Sequence, residues 1–223
     1  MPELVRRSLP NGLTMLRLVL AAAFFAALNA YRYPDHNVVW AHIAVWLFIL
    51  AAITDSLDGY LARKWDVTST FGRIMDPFCD KVLILGGFIY MAGPRFVVPE
   101  WVEAGDFWTM ATGVYPWMVA VILARELLVT GFRGEVEAMG LSFASNWWGK
   151  WKMILQSVTI PTVIFFTITF ETGADGTLSV VARRFCYVLV YVTVIVTIAS
   201  GLPYILRLRQ ILGTRRDTTG ASS

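Results

Sequence analysis

Six long, predominantly apolar stretches alternate with short polar connections along the chain, near 13–30, 38–62, 77–93, 115–133, 153–170 and 185–206. At 1.5 Å of rise per helical residue, such runs match a hydrocarbon core about 30 Å thick. The pattern predicts an all-α integral membrane protein, a bundle of six transmembrane helices. The first run follows Arg6 and Arg7 in the manner of a signal peptide, but it continues through Ala21 to Ala30 without a small-residue cleavage pattern, and so reads as a retained span. Between the third and fourth runs lies a longer connection, Pro94 to Gly113, with Pro94, Pro99, Gly105 and Gly113 as turn residues and Trp101 and Trp108 as interfacial aromatics. It reads as a surface connection with an interfacial helix. With no composition shift and no internal repeat, residues 1–213 form one domain, and the small, polar stretch 214–223 is expected to be a disordered tail.

Composition sharpens this picture. Of 223 residues, 57% are hydrophobic and 16% charged, against about 25% charged in ordinary soluble domains. The net charge of +3 is unevenly placed. With six spans, both termini share one side, together with Arg6, Arg7, Arg17, Arg63, Lys64, Arg73, Lys81, Arg125, Arg133, Lys150, Lys152, Arg207, Arg209, Arg215 and Arg216. The other side holds Arg32, Arg95, Arg183 and Arg184. The basic side, and with it both termini, is therefore expected to be cytoplasmic. Such a face draws anionic lipid headgroups and phosphorylated substrates, and no nucleic-acid partner is expected. Cys79 and Cys186 show neither metal-ligand nor disulfide spacing.

The chemistry is concentrated in TDSLDGYLARKWDVTSTFGRIMDPFCDK, residues 54–81. Asp55 and Asp58 are three apart, Asp76 and Asp80 four apart, so each pair returns to nearly the same helix face one turn along. A carboxylate within a span costs at least about 2.5 kcal/mol, and four together repel one another. Hard divalent cations such as Mg²⁺ or Mn²⁺ would neutralise them and leave open positions for substrate phosphates. The alternative, acids paired with Arg63, Arg73 and Lys81 at a solvated helix end, explains one pair and not the small residues Gly59, Ala62 and Gly72 between them, which let a ligand or a backbone approach. Arg63 lies one turn beyond Gly59, where a guanidinium can clamp a phosphate. Asp66 is off the pattern and reads as a loop residue. Pro77 directly after Asp76 marks either the start of the third helix or a kink within a longer one.

Written as Asp55-x2-Asp58-Gly59-x2-Ala62-Arg63-x8-Gly72-x3-Asp76-x3-Asp80, the segment resembles, without a departure, the signature of the CDP-alcohol phosphotransferase family. The resemblance implies a six-helix membrane bundle, usually a homodimer, that transfers a phosphatidyl or related group from a CDP-linked donor to an alcohol with release of CMP. It implies that Asp55, Asp58, Asp76 and Asp80 bind two divalent cations, Mg²⁺ or Mn²⁺, that Asp80 is also the general base, and that Gly59, Ala62, Arg63, Ser69 and Gly72 line the CDP pocket. The run Pro10-Asn11-Gly12-Leu13-Thr14-Met15-Leu16-Arg17 is similar to the start of the family's first helix, which implies nucleotide contacts for Asn11 and Thr14. Arg17 either snorkels or takes a functional role.

Outside the signature, Ala124-Arg125-Glu126, Arg133 and Gly149-Lys150-Trp151-Lys152 are similar to the family's phosphatidylglycerophosphate synthase branch. That branch joins CDP-diacylglycerol to glycerol 3-phosphate. A phosphorylated acceptor needs its own cations, and Arg125, Arg133, Lys150 and Lys152 lie on the right side to supply them, although Lys150 and Lys152 also fit an ordinary basic flank and Arg125–Glu126 a structural ion pair. A cardiolipin synthase, or a transferase with another acceptor, is the nearest alternative. Outside the family, a membrane prenyltransferase would carry two Asp-rich motifs and more spans, and a cation transporter would gather its acids near the midplane.

Overall fold

The computed structural model describes residues 3–34, 38–65, 70–138, 147–170 and 176–220, and their side chains other than those at 3–11, 58, 61–63, 70, 71, 73, 74, 137, 148, 176–179 and 207–220. The described residues form seven α-helices: α1 (Glu3–Ala30), α2 (Val39–Trp65), α3 (Thr70–Met91), α4 (Pro99–Glu103), α5 (Pro116–Ala138), α6 (Trp147–Phe170) and α7 (Gly176–Gly220). The six long ones coincide with the six apolar stretches. Helix α1 packs on α2 and α3, α6 on α2 and α7, and α5 on α7 and α3.

Four of these helices contain runs long and apolar enough to cross a membrane: Gly12–Ala30, Val39–Leu57, Gly149–Phe170 and Val180–Leu206. The other two long helices, α3 and α5, carry Asp76, Asp80 and Lys81, and Arg125, Glu126 and Arg133, within their length. These charges lower the hydropathy of the two helices on which the sequence concentrates its chemistry. Large apolar side chains point outward around the bundle, Val19, Trp46, Leu127, Val181, Val188 and Ile195 among them, each more than half exposed. An apolar exterior of that extent belongs in lipid. The protein is thus an all-helical membrane protein with several spans.

Within the bundle, Phe24 and Phe48 meet edge to face at 5.4 Å and Phe25 stacks on Tyr90 at 5.4 Å. Ala41, Ala44 and Ala51 are fully buried along one side of α2, and their small side chains let α1 and α6 come close. Helices α6 and α7 add hydrogen bonds, Gln156 Nε2 to Thr197 Oγ1 at 3.0 Å and Thr159 with Thr193 at 2.7 Å.

The connection 94–113 is less superficial than its composition predicts. It forms a 3₁₀ turn at Pro94–Phe96 and the short α4, but Phe96, Met110, Thr112 and Val114 are buried. Arg95 donates to the carbonyl of Tyr31 at the end of α1, and Thr112 to that of Met91 at the end of α3. The segment thereby satisfies carbonyls that helix ends leave open. Gly113 has φ +69°, and a Cβ there would lie 2.1 Å from the Tyr187 ring, so both conformation and space call for glycine. At the carboxyl end, α7 continues as helix to Gly220 through residues expected to be a disordered tail.

Candidate active site

Helix α3 starts at Thr70 and continues past Pro77, so of the two possibilities the sequence leaves open it is the longer helix that forms. Asp76 and Asp80 accordingly stand one turn apart on a continuous helix, and Asp55 faces them from α2. A third helix completes the arrangement. Thr14 and Arg17, one turn apart on α1, are both 1% exposed. The Thr14 hydroxyl donates to Asp76 Oδ1 at 2.9 Å. Arg17 Nη1 lies 2.8 Å from Asp55 Oδ1, 3.3 Å from Asp80 Oδ1 and 3.9 Å from Asp76 Oδ1. One guanidinium nitrogen therefore serves three carboxylates from two helices.

This counter-cation is not among the partners weighed for the acids from sequence, which were Arg63, Arg73 and Lys81. Its signal in the sequence is a charge inside an otherwise apolar run, on the same face as Thr14. Burial from the α1 side contrasts with the opposite side of the cluster, where Asp55 and Asp76 keep 40% of their side-chain surface exposed and Asp80 31%. Solvent reaches the carboxylates from that side.

The donor chemistry of this cluster fits a hard divalent cation: anionic oxygens converge on one centre of positive charge and are open to water on one side. Among the described residues, no group of three or more His, Cys, Asp or Glu is arranged to hold a metal ion on its own. The side chain of Asp58, the fourth acid, lies outside the described residues, as do those of Asn11, Ala62 and Arg63, and Ser69 altogether. Gly59 is partly buried one turn after Asp55, and Gly72 is buried one turn before Asp76. Both glycines thus flank the acids in the register the motif requires.

A second charged cluster joins α5, α6 and α7. Glu126 accepts from Lys152 Nζ and from Arg125 Nη1, the latter at 3.1 Å, while Arg125 Nη2 reaches the Ser200 carbonyl on α7 at 3.3 Å. All three charged side chains are nearly buried. Lys81, the chain neighbour of Asp80, donates to Thr130 on α5 at 2.8 Å. Two of the expected acceptor residues, Arg125 and Lys152, thus meet around a shared acid. The other two stand apart: Arg133 is exposed, and Lys150, on a different face of α6 from Lys152, is exposed with its ammonium 5.6 Å from the Trp147 ring. Lys81, weighed from sequence as a partner of the acids, instead turns its ammonium to Thr130. Arg125 is held on its remaining side by α7, where a Cβ on Gly201 would lie 3.3 Å from its Cγ and where Tyr204 places its ring 6.0 Å away.

The chain is similar over most of its length to several known proteins. Over 204 residues the chain is 30% identical to the CDP-diacylglycerol–glycerol-3-phosphate 3-phosphatidyltransferase of Bacillus subtilis (strain 168), covering 88% of this chain and 93% of that protein. It is 26% identical over 201 residues to the protein of the same name in Haemophilus influenzae, covering 89% and 91%. With a probable phosphatidylglycerophosphate synthase of Mycobacterium tuberculosis (strain ATCC 25618 / H37Rv) it shares 34% over 213 residues, 95% of this chain and 86% of that one. The profile of the family described as CDP-alcohol phosphatidyltransferase matches residues 7–199, which take in both charged clusters and the three helices that build the acidic one. The protein therefore belongs to the CDP-alcohol phosphatidyltransferase family.

Proposed function

We propose that the protein transfers the phosphatidyl group of CDP-diacylglycerol to glycerol 3-phosphate, giving phosphatidylglycerophosphate and CMP. The observation that carries the choice of acceptor is the pair Arg125 and Lys152 gathered around the single carboxylate of Glu126. Two cations against one carboxylate leave positive charge in a nearly buried place, and an acceptor that brings its own phosphate offsets it. The names of the Bacillus subtilis and Haemophilus influenzae relatives describe the same acceptor.

In this reading the donor's CDP head lies over Gly59, Ala62, Arg63, Ser69 and Gly72, with Asn11 and Thr14 at the nucleotide, while its acyl chains stay in the leaflet against the apolar exterior. Arg125 and Lys152, with Arg133 and Lys150 further out, hold the acceptor phosphate. Asp80 takes the proton of the attacking hydroxyl as its oxygen bonds to the β-phosphorus and the bond from that phosphorus to CMP breaks, in line. An aspartate is a weak base for an alcohol, so proton transfer accompanies bond formation. Two divalent cations, Mg²⁺ or Mn²⁺, held by Asp55, Asp58, Asp76 and Asp80, would offset the charge of the pyrophosphate.

The reading also takes α3 and α5 as spans, the third and fourth of six. Both termini and the catalytic clusters then face the cytoplasm from the cell membrane, and the protein works as a homodimer, as the family resemblance implies. The experiment is CMP release by the purified protein in detergent with CDP-diacylglycerol and Mn²⁺ or Mg²⁺, offering glycerol 3-phosphate, phosphatidylglycerol, inositol 1-phosphate and serine separately, with Asp80→Asn as the blank. Release with glycerol 3-phosphate alone is expected. Release with a different acceptor alone would overturn the assignment.

A further inference from the structure

The guanidinium of Arg17 occupies the point on which Asp55, Asp76 and Asp80 converge, and it reaches that point from the buried side of the cluster while the carboxylates stay open to solvent on the other. We infer that Arg17 is a built-in counter-cation that holds the acidic centre together in the metal-free protein and competes with divalent cations for the same carboxylate oxygens. This rests on the metal reading of the site given above.

Three carboxylates at hydrogen-bonding or ion-pairing distance from one nitrogen would repel one another without a cation between them. The same proximity has a cost once metal arrives. The Oδ1 atoms that Arg17 contacts are the oxygens a cation would take, so a divalent ion bound to them stands within a few ångströms of a fixed positive charge. Arg17 must therefore loosen its contacts with Asp55 and Asp80 as metal binds. Thr14, beside it on α1, donates to the Asp76 oxygen without adding charge, and so orients that carboxylate in both states. Arg17 is in this sense a positioning residue: it keeps the acids assembled for a metal and weakens the metal's hold.

Mn²⁺ binding to chelator-stripped protein in detergent, followed by the electron paramagnetic resonance signal of free Mn²⁺ and by unfolding temperature with EDTA or with Mn²⁺, separates this role from a merely structural one. Arg17→Gln is expected to bind Mn²⁺ about tenfold more tightly than the natural protein. It should also unfold at a lower temperature in EDTA and gain more from added Mn²⁺. A residue that only supports the fold would lower stability without tightening the metal. Unchanged or weaker Mn²⁺ binding by Arg17→Gln, with the natural protein binding normally, would overturn the inference. Absence of Mn²⁺ binding by the natural protein would instead overturn the metal reading, and this inference with it. If Arg17→Gln does not fold, Arg17→Lys decides. Its single ammonium reaches fewer carboxylates, so tighter Mn²⁺ binding than in the natural protein supports the inference, and equal or weaker binding overturns it.

Discussion

Asp80 has two duties in the proposed reaction, and Asp55 one, yet both share the same counter-cation in the structure. If charge neutralisation at the pyrophosphate supplies most of the catalysis, Asp55→Asn should be nearly as damaging as Asp80→Asn. Each should lower the rate of CMP release by about 10²-fold or more, measured at saturating donor and acceptor. The second cluster makes a different prediction. Lys152→Gln removes a charged donor from the acceptor's phosphate, so the KM for glycerol 3-phosphate should rise about tenfold or more while that for CDP-diacylglycerol stays close to its original value. Lys150→Gln, whose parent side chain lies exposed by Trp147, should change the acceptor KM far less. Glu126→Gln leaves Lys152 and Arg125 without their shared acid in a nearly buried position, and the stability loss, about 3 kcal/mol or more, should appear as a lower denaturation midpoint in detergent.

Elements were legible in the sequence where a single physical requirement dominated. Apolar length located all six long helices, and the four-residue spacing of Asp76 and Asp80 placed that pair on one face. Pro77 left two possibilities because the same residue starts helices and interrupts them; the continuous α3 shows that packing on α1, α5 and α6 outweighs one missing backbone hydrogen bond. Contacts between distant segments were harder to see. Arg17 lies 38 residues before Asp55, and nothing local to either says that α1 delivers a cation to α2 and α3. The same holds for Lys81 and Thr130, and for the core placement of Phe96, which lies between Pro94 and Pro99 in a connection that reads as superficial. Among elements, apolar packing should outweigh the hydrogen bonds between α6 and α7. Gln156→Leu should cost only about 0.6 kcal/mol, as intramembrane hydrogen bonds do on average, whereas Phe24→Ala in the core should cost about 3 to 5 kcal/mol. Unfolding of the two variants in mixed micelles compares them directly.

For the whole molecule, the proposed cytosolic acceptor requires one orientation in the membrane, with the charged clusters towards the cytoplasm. A cysteine at Phe107, which is 82% exposed in the connection after α3, should react with a membrane-impermeant thiol reagent added outside intact cells, and one at Lys150 only after the membrane is opened. The natural Cys79 and Cys186 are buried and should stay silent. The reverse pattern would place the charged clusters on the outer side and contradict the proposed access of a cytosolic acceptor. The most direct test of the account is product formation itself. The purified protein is given CDP-diacylglycerol, Mn²⁺ and radiolabelled glycerol 3-phosphate, and label is counted in the lipid extract. Label should appear in a lipid with the mass of phosphatidylglycerophosphate, and should vanish with EDTA, without CDP-diacylglycerol or in Asp80→Asn. Lipid-free label under complete conditions, or incorporation that survives Asp80→Asn, would contradict the account.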